Sequence, residues 1–73
     1  MANDPKTYLK EKADRGQLPS VEYSMERHGG TEHEPGWTAV ASLPDGRLAE
    51  GVGRSKVEAE QNAAAALIQK SRL

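Results

Sequence analysis

Hydrophobic and polar residues alternate along this chain with two different periods, and the changes of period divide it into five elements. Near the start, Leu9 and Ala13 stand four residues apart among charged positions, which is the spacing of one face of a helix. Asp4 followed by Pro5 is typical of a helix start, because Asp accepts backbone N–H groups as N-cap and Pro fits the first helical position. We expect Gly16 to end this first helix.

A two-residue period follows and predicts strands. The alternating apolar positions of the first strand are Val21, Tyr23 and Met25. Glycine and proline cluster between Gly29 and Gly36, which breaks both periods and predicts a loop. The second strand has four apolar residues on one face: Trp37, Ala39, Ala41 and Leu43. Pro44-Asp45-Gly46 then predicts a tight turn into a third strand, from Arg47 to about Gly53.

The third strand and the last helix are predicted to pack closely on each other. Gly51 and Gly53 share one side of the strand with Ala49, and the missing side chains let another backbone approach. The run from Ser55 to Glu58 has the S-x-x-E form of a capping box and begins the helix. The apolar stripe of this helix is made mostly of small side chains: Ala59, Ala63, Ala66 and Leu67.

These elements predict an α+β fold in the order α-β-β-β-α. Because the strands are joined by short loops, the sheet should be three-stranded and antiparallel, with two helices packed on one face and water on the other. The chain has 73 residues, which suits a single domain over residues 1–73 with its core at about residues 4–70.

Composition limits the classes of function. Ten Lys and Arg residues stand against 11 Asp and Glu residues, so the net charge is −1 and whole-chain charge argues against a nucleic-acid binder. The chain has no cysteine and no apolar run of the ~18 residues that a membrane helix needs. We expect an intracellular, cytoplasmic protein that does not contact membranes. The sequence also has no catalytic grouping and no phosphate-binding glycine loop, so we expect no enzymatic activity, cofactor, metal or small-molecule substrate.

Four collinear segments carry a family resemblance. They read DPKTYLKE from Asp4, LPSVEY from Leu18, GTEHEPGW from Gly30 and GVGRSKVEAEQNAA from Gly51. Together they resemble a double-stranded RNA-binding domain from about Asp4 to Leu67. The first segment is similar to the one that follows the catalytic domain of bacterial ribonuclease III, so the chain is either a free-standing module or an excised one.

The resemblance implies recognition of A-form shape over roughly 16 base pairs, through two minor grooves and the phosphates between them. It assigns the first minor groove to Thr7 and Glu11 of the first helix, where a carboxylate can accept from a 2′-hydroxyl. It assigns the second minor groove to the loop Gly30–Gly36, with His33 and Pro35 at the family's histidine and proline positions. Glu32 and Glu34 flank this histidine and depart from the family by repelling phosphate.

A third surface follows from the resemblance at the start of the last helix. Arg54 and Lys56 match basic positions of the family's lysine-rich motif, where the helix dipole also favours phosphate. Val57 and Glu60 stand where the family often has further basic residues, so we expect binding weaker than that of a fully basic member. Two lysines of the first helix are candidates to compensate, although both equally suit a solvated helix face: Lys6 and Lys10.

Two other interpretations compete with a monomeric, non-catalytic RNA-binding module. One is a protein-interaction version of the same fold, and the other is the RNA-anchoring part of a ribonuclease III-type endoribonuclease. A metal site is disfavoured, because adjacent residues of one loop do not converge easily on an ion. Its candidate ligands are His28, Glu32, His33 and Glu34.

Overall fold

The computed structural model describes residues 4–28 and 36–73, and the predicted order of elements is confirmed. The elements are α1 (Pro5–Asp14), β1 (Glu22–His28), β2 (Gly36–Ser42), β3 (Leu48–Gly53) and α2 (Lys56–Ser71). The strands form one antiparallel sheet in the order β1-β2-β3. α2 lies across β2 and β3, and α1 packs against α2. No helix within the described ranges combines the length and the apolarity needed to cross a membrane.

The core is small and rich in alanine. Its buried residues are Leu9, Ala39, Ala41, Leu43, Ala49, Ala59, Ala63, Ala64 and Leu67. Leu9 of α1 and Leu67 of α2 are its largest fully buried side chains. The predicted stripe of α2 is correct except that Ala64 is buried and Ala66 is only half-buried. The apolar positions of β1 are half-buried, as the alternating pattern predicts.

Both helices begin with the predicted caps. The Asp4 carboxylate accepts from the Thr7 backbone N–H at 2.8 Å, and the Ser55 hydroxyl accepts from the Glu58 N–H at 3.1 Å. The Glu58 carboxylate reaches back to the backbone N–H of Arg54 at 3.1 Å, one residue before the predicted cap residue. This bond fixes the backbone of a candidate phosphate contact.

Asp4 should make the stability of the chain depend on pH. The bond from the Thr7 N–H lowers the pKa of the Asp4 carboxyl, so the ionised form is favoured by folding. The stabilisation from ionised Asp4 is fully present above the pKa of the carboxyl in the unfolded chain, about 3.9. It disappears as pH falls through the lower pKa of the carboxyl in the folded chain. Thermal melts should show Asp4→Ala a few degrees less stable at pH 7 and equal to the unsubstituted chain near pH 2. An equal gap at both pH values would contradict this role.

The close approach of β3 and α2 is confirmed at two glycines. A Cβ added to Gly53 would lie 2.6 Å from the backbone nitrogen of Ala59. A Cβ added to Gly51 would overlap the backbone of α2 at Asn62 and Ala63. The two elements therefore meet backbone to backbone, which only glycine permits at these positions.

Side chains of α2 also bond the backbone of β3, which is an edge strand. The Asn62 amide donates to the Val52 carbonyl at 2.7 Å, and the Lys70 ammonium donates to the Leu48 carbonyl at 3.0 Å. Occupied carbonyls make an edge strand a poorer template for a second chain. A monomeric state, which stays a prediction, is consistent with these two bonds.

Candidate nucleic-acid interface

The candidate minor-groove residues lie on α1. Thr7 and Glu11 are one helical turn apart and therefore share a face; Thr7 is exposed and Glu11 is half-buried. The N-cap bond from the Thr7 N–H to Asp4 holds the first turn of α1 in place. This face presents one hydroxyl and one carboxylate next to each other.

Lys6 ties α1 to α2. Its ammonium forms an ion pair with the Glu60 carboxylate at 2.5 Å, and its backbone N–H donates to the Gln61 side-chain oxygen at 3.2 Å. The same ammonium lies 5.3 Å from the centroid of the Tyr23 ring. Lys6 is therefore held between the helices, and Glu60 offsets its charge.

Tyr23 completes this contact between the helices and the sheet. Burial raises the pKa of its phenol, and the negative charges of Glu60 and Asp4 raise it further. The phenol therefore stays neutral at physiological pH. The electron-rich face of its ring attracts the Lys6 ammonium. The position of α1 relative to α2 thus depends on contacts that the sequence pattern did not indicate.

The candidate phosphate contacts lie at the start of α2. Arg54 and Lys56 are exposed on either side of the N-cap residue, where the helix dipole is positive. Nζ of Lys56 lies 4.9 Å from the centroid of the Trp37 ring. Trp37 is half-buried and packs against the core, as predicted, and it also supports this lysine.

A further cation, Arg27, lies beside the same ring. Its guanidinium carbon is 5.9 Å from the Trp37 centroid, and its side chain is exposed. Sequence reasoning did not assign Arg27, although the two-residue period of β1 places it on the same face as Tyr23 and Met25. A basic residue at the end of an otherwise apolar face was the available signal.

The other candidate residues lie away from these two groups or outside the described residues. Lys10 is exposed on α1, and Val57 is 64% exposed beside Lys56 without contributing a charge. His33 and Pro35 lie outside the described residues, as do Glu32, Glu34 and the side chain of the candidate metal ligand His28. Within residues 4–28 and 36–73, no group of three His, Cys, Asp or Glu side chains is placed to hold a metal ion.

Comparisons with known proteins agree on one family. The chain is 44% identical over 68 residues to Ribonuclease 3 of Ruegeria pomeroyi, an alignment that covers 92% of this chain and 30% of that protein. It is 35% identical over 72 residues to Ribonuclease 3 of Limosilactobacillus fermentum, covering 99% of this chain and 31% of the relative. The chain thus spans about a third of the length of these curated relatives.

A solved structure supports the fold independently. The solution structure of both dsRBDs of DRB4 along with their linker matches with a TM-score of 0.68 and 24% identity, covering 92% of this chain and 43% of that one. The model of the family described as "Double-stranded RNA binding motif" matches residues 5–71. The resemblance drawn from the sequence is confirmed, and the chain belongs to the double-stranded RNA-binding motif family.

Proposed function

We propose that this chain binds double-stranded RNA by its A-form shape, largely without regard to base sequence, and does not cleave it. The contact between α1 and α2 carries this proposal. Lys6 bonds both Glu60 and Gln61, which holds the face of Thr7 and Glu11 in a fixed relation to the start of α2. A protein that reads shape needs such a rigid spacing between its groove contact and its phosphate contact.

The face of α1 supplies discrimination between RNA and DNA. The Glu11 carboxylate can accept a hydrogen bond from a 2′-hydroxyl, and the Thr7 hydroxyl can donate or accept. DNA has no 2′-hydroxyl, so it cannot form these bonds from its sugars, and only the guanine amino group remains as a minor-groove donor to the carboxylate. In this proposal the loop with His33 and Pro35 enters a second minor groove.

The start of α2 supplies affinity. Arg54 and Lys56 place two cations beside the unsatisfied amides of the first helical turn, a combination that favours phosphate. Phosphate contacts set the position of the duplex without reading its sequence. Lys10 is an additional candidate on α1, whereas Lys6 is offset by Glu60.

The relatives named Ribonuclease 3 are about three times as long as this chain. We propose that residues 1–73 form one RNA-binding domain and that any cleavage belongs to another domain. Incubation with duplex RNA and magnesium should therefore leave the RNA intact. A cytoplasmic location also stays a prediction.

Fluorescence anisotropy with a labelled duplex tests the binding function. An RNA duplex of about 20 base pairs should bind saturably and more tightly at low salt, and the DNA duplex of equal length should bind far more weakly. Glu11→Ala should reduce the preference for RNA, whereas Lys56→Ala should lower affinity and reduce the salt slope by about one unit. Arg47→Ala, at the β2–β3 turn, removes the same charge away from α2 and is the control.

Three outcomes would each overturn part of the proposal. Equal binding of RNA and DNA would refute recognition of A-form shape. If neither duplex binds at low salt, the protein-interaction version of the fold is favoured. RNA products appearing with magnesium would refute the non-catalytic assignment on their own.

A further inference from the structure

Trp37 brings two cationic side chains from different elements to one end of the sheet. The guanidinium carbon of Arg27 and Nζ of Lys56 lie 5.9 Å and 4.9 Å from the centroid of its ring. The two charges can therefore be no farther apart than the sum of these distances. We infer that Arg27 is a phosphate-binding residue and that Arg27, Trp37 and Lys56, here called the Trp37 cluster, form a two-cation site for the RNA backbone. This inference rests on the proposed function.

The strand register fixes the Trp37 cluster in space. Arg27 is directly opposite Trp37 in the pairing of β1 with β2, and Trp37 is directly opposite Gly53 in the pairing of β2 with β3. Gly53 contacts the first turns of α2 because it has no side chain, and Lys56 begins that helix. Arg27 thus reaches the indole from β1, on one side of β2. Lys56 reaches it from the other side, where β3 meets the start of α2.

The indole restricts the conformations of both cationic side chains and leaves their charges available to bind an anion. A cation over an aromatic ring keeps its charge, and the ring limits the rotamers that the long side chain visits. Both residues remain exposed, so their N–H groups can still donate. The planar guanidinium of Arg27 can bond two oxygens of one phosphate, whereas Lys56 acts as a compact single charge.

The Trp37 cluster explains how this chain can hold phosphate with a reduced lysine-rich motif. Val57 and Glu60 contribute no cation to α2, and Glu60 offsets Lys6. Arg27 supplies a cation from β1 instead. It also stands three residues before Gly30, where the loop predicted to enter the second minor groove begins.

A salt series with matched variants tests this inference. Arg27→Met and Lys56→Met keep an apolar stem against Trp37 and remove one charge each, and Arg47→Met removes one charge at the far end of the sheet. With the duplex RNA of about 20 base pairs, Arg27→Met and Lys56→Met should each reduce the salt slope by about one unit and weaken binding several-fold. Arg47→Met should stay close to the unsubstituted chain. Arg27→Lys keeps the charge but loses the paired donors, so it should keep the salt slope and bind more weakly than the unsubstituted chain but more tightly than Arg27→Met.

Tryptophan fluorescence gives a second readout, because Trp37 is the one tryptophan of the chain. RNA should change its emission in the unsubstituted chain and change it less in Arg27→Met, provided that thermal melts show both folded. If Lys56→Met loses slope while Arg27→Met matches Arg47→Met, the inference fails and the proposed function stands. If the unsubstituted chain does not bind RNA, both fail together.

Discussion

Replacing Gly51 with valine is expected to remove most of the stability of this fold. A Cβ at this position would overlap backbone atoms of Asn62 and Ala63, and it would lie 2.7 Å from the carbonyl oxygen of Ala59. Backbone of a helix cannot rotate away as a flexible side chain can, so α2 would have to move off β3. Overpacking of this kind costs about 3 kcal/mol, against the roughly 3–5 kcal/mol that a core of this size supplies.

Thermal melting by circular dichroism measures this effect. The melting temperature of Gly51→Val should fall by more than about 10 °C, or the variant should be unfolded at 25 °C. Glu50→Val is the matched control, because it places valine at the neighbouring position, on the exposed face of β3. A melting temperature for Gly51→Val equal to that of Glu50→Val would show that α2 does not need this close approach.

The parts of the fold that sequence could predict are those determined by neighbours in the chain. The two-residue period identified the inward side of β1, and the S-x-x-E motif identified the start of α2. The glycines of β3 indicated close packing because a residue without a side chain has few other uses in a strand. Such patterns depend on backbone geometry that is the same in every helix and strand.

The missed contacts join residues far apart in the chain. No pattern in the sequence gives Gln61 a role, yet its side-chain oxygen accepts from the Lys6 N–H, 55 positions away. Lys6 suited a solvated helix face, and its pairing with Glu60 depends on how α1 and α2 cross. Arg27 and Lys56 belong to different elements, and each lies beside the same indole only because the fold brings both elements to Trp37. The crossing of two helices and the reach of long side chains leave no periodic mark in a sequence.

The ion pair of Lys6 with Glu60 leads to an expected gain of function. Glu60→Lys would remove the carboxylate that offsets Lys6 and would add a second ammonium where the family often has a basic residue. Under the proposed function, the salt slope for duplex RNA should become steeper by up to about two units. Affinity near 0.1 M salt should rise by about tenfold. Anisotropy over a salt series measures both quantities.

Two further measurements separate local contact from net charge. Glu50→Lys makes the same change of two charge units on the exposed face of β3, away from the helices, and should alter binding little. Glu60 helps to raise the pKa of Tyr23, so Glu60→Lys should also lower the pKa of that phenol, which ultraviolet absorbance detects. If RNA affinity rises equally in Glu60→Lys and Glu50→Lys, the gain comes from the overall charge of the chain. A gain confined to Glu60→Lys would mean that a carboxylate between α1 and α2 limits how tightly this domain holds the RNA backbone.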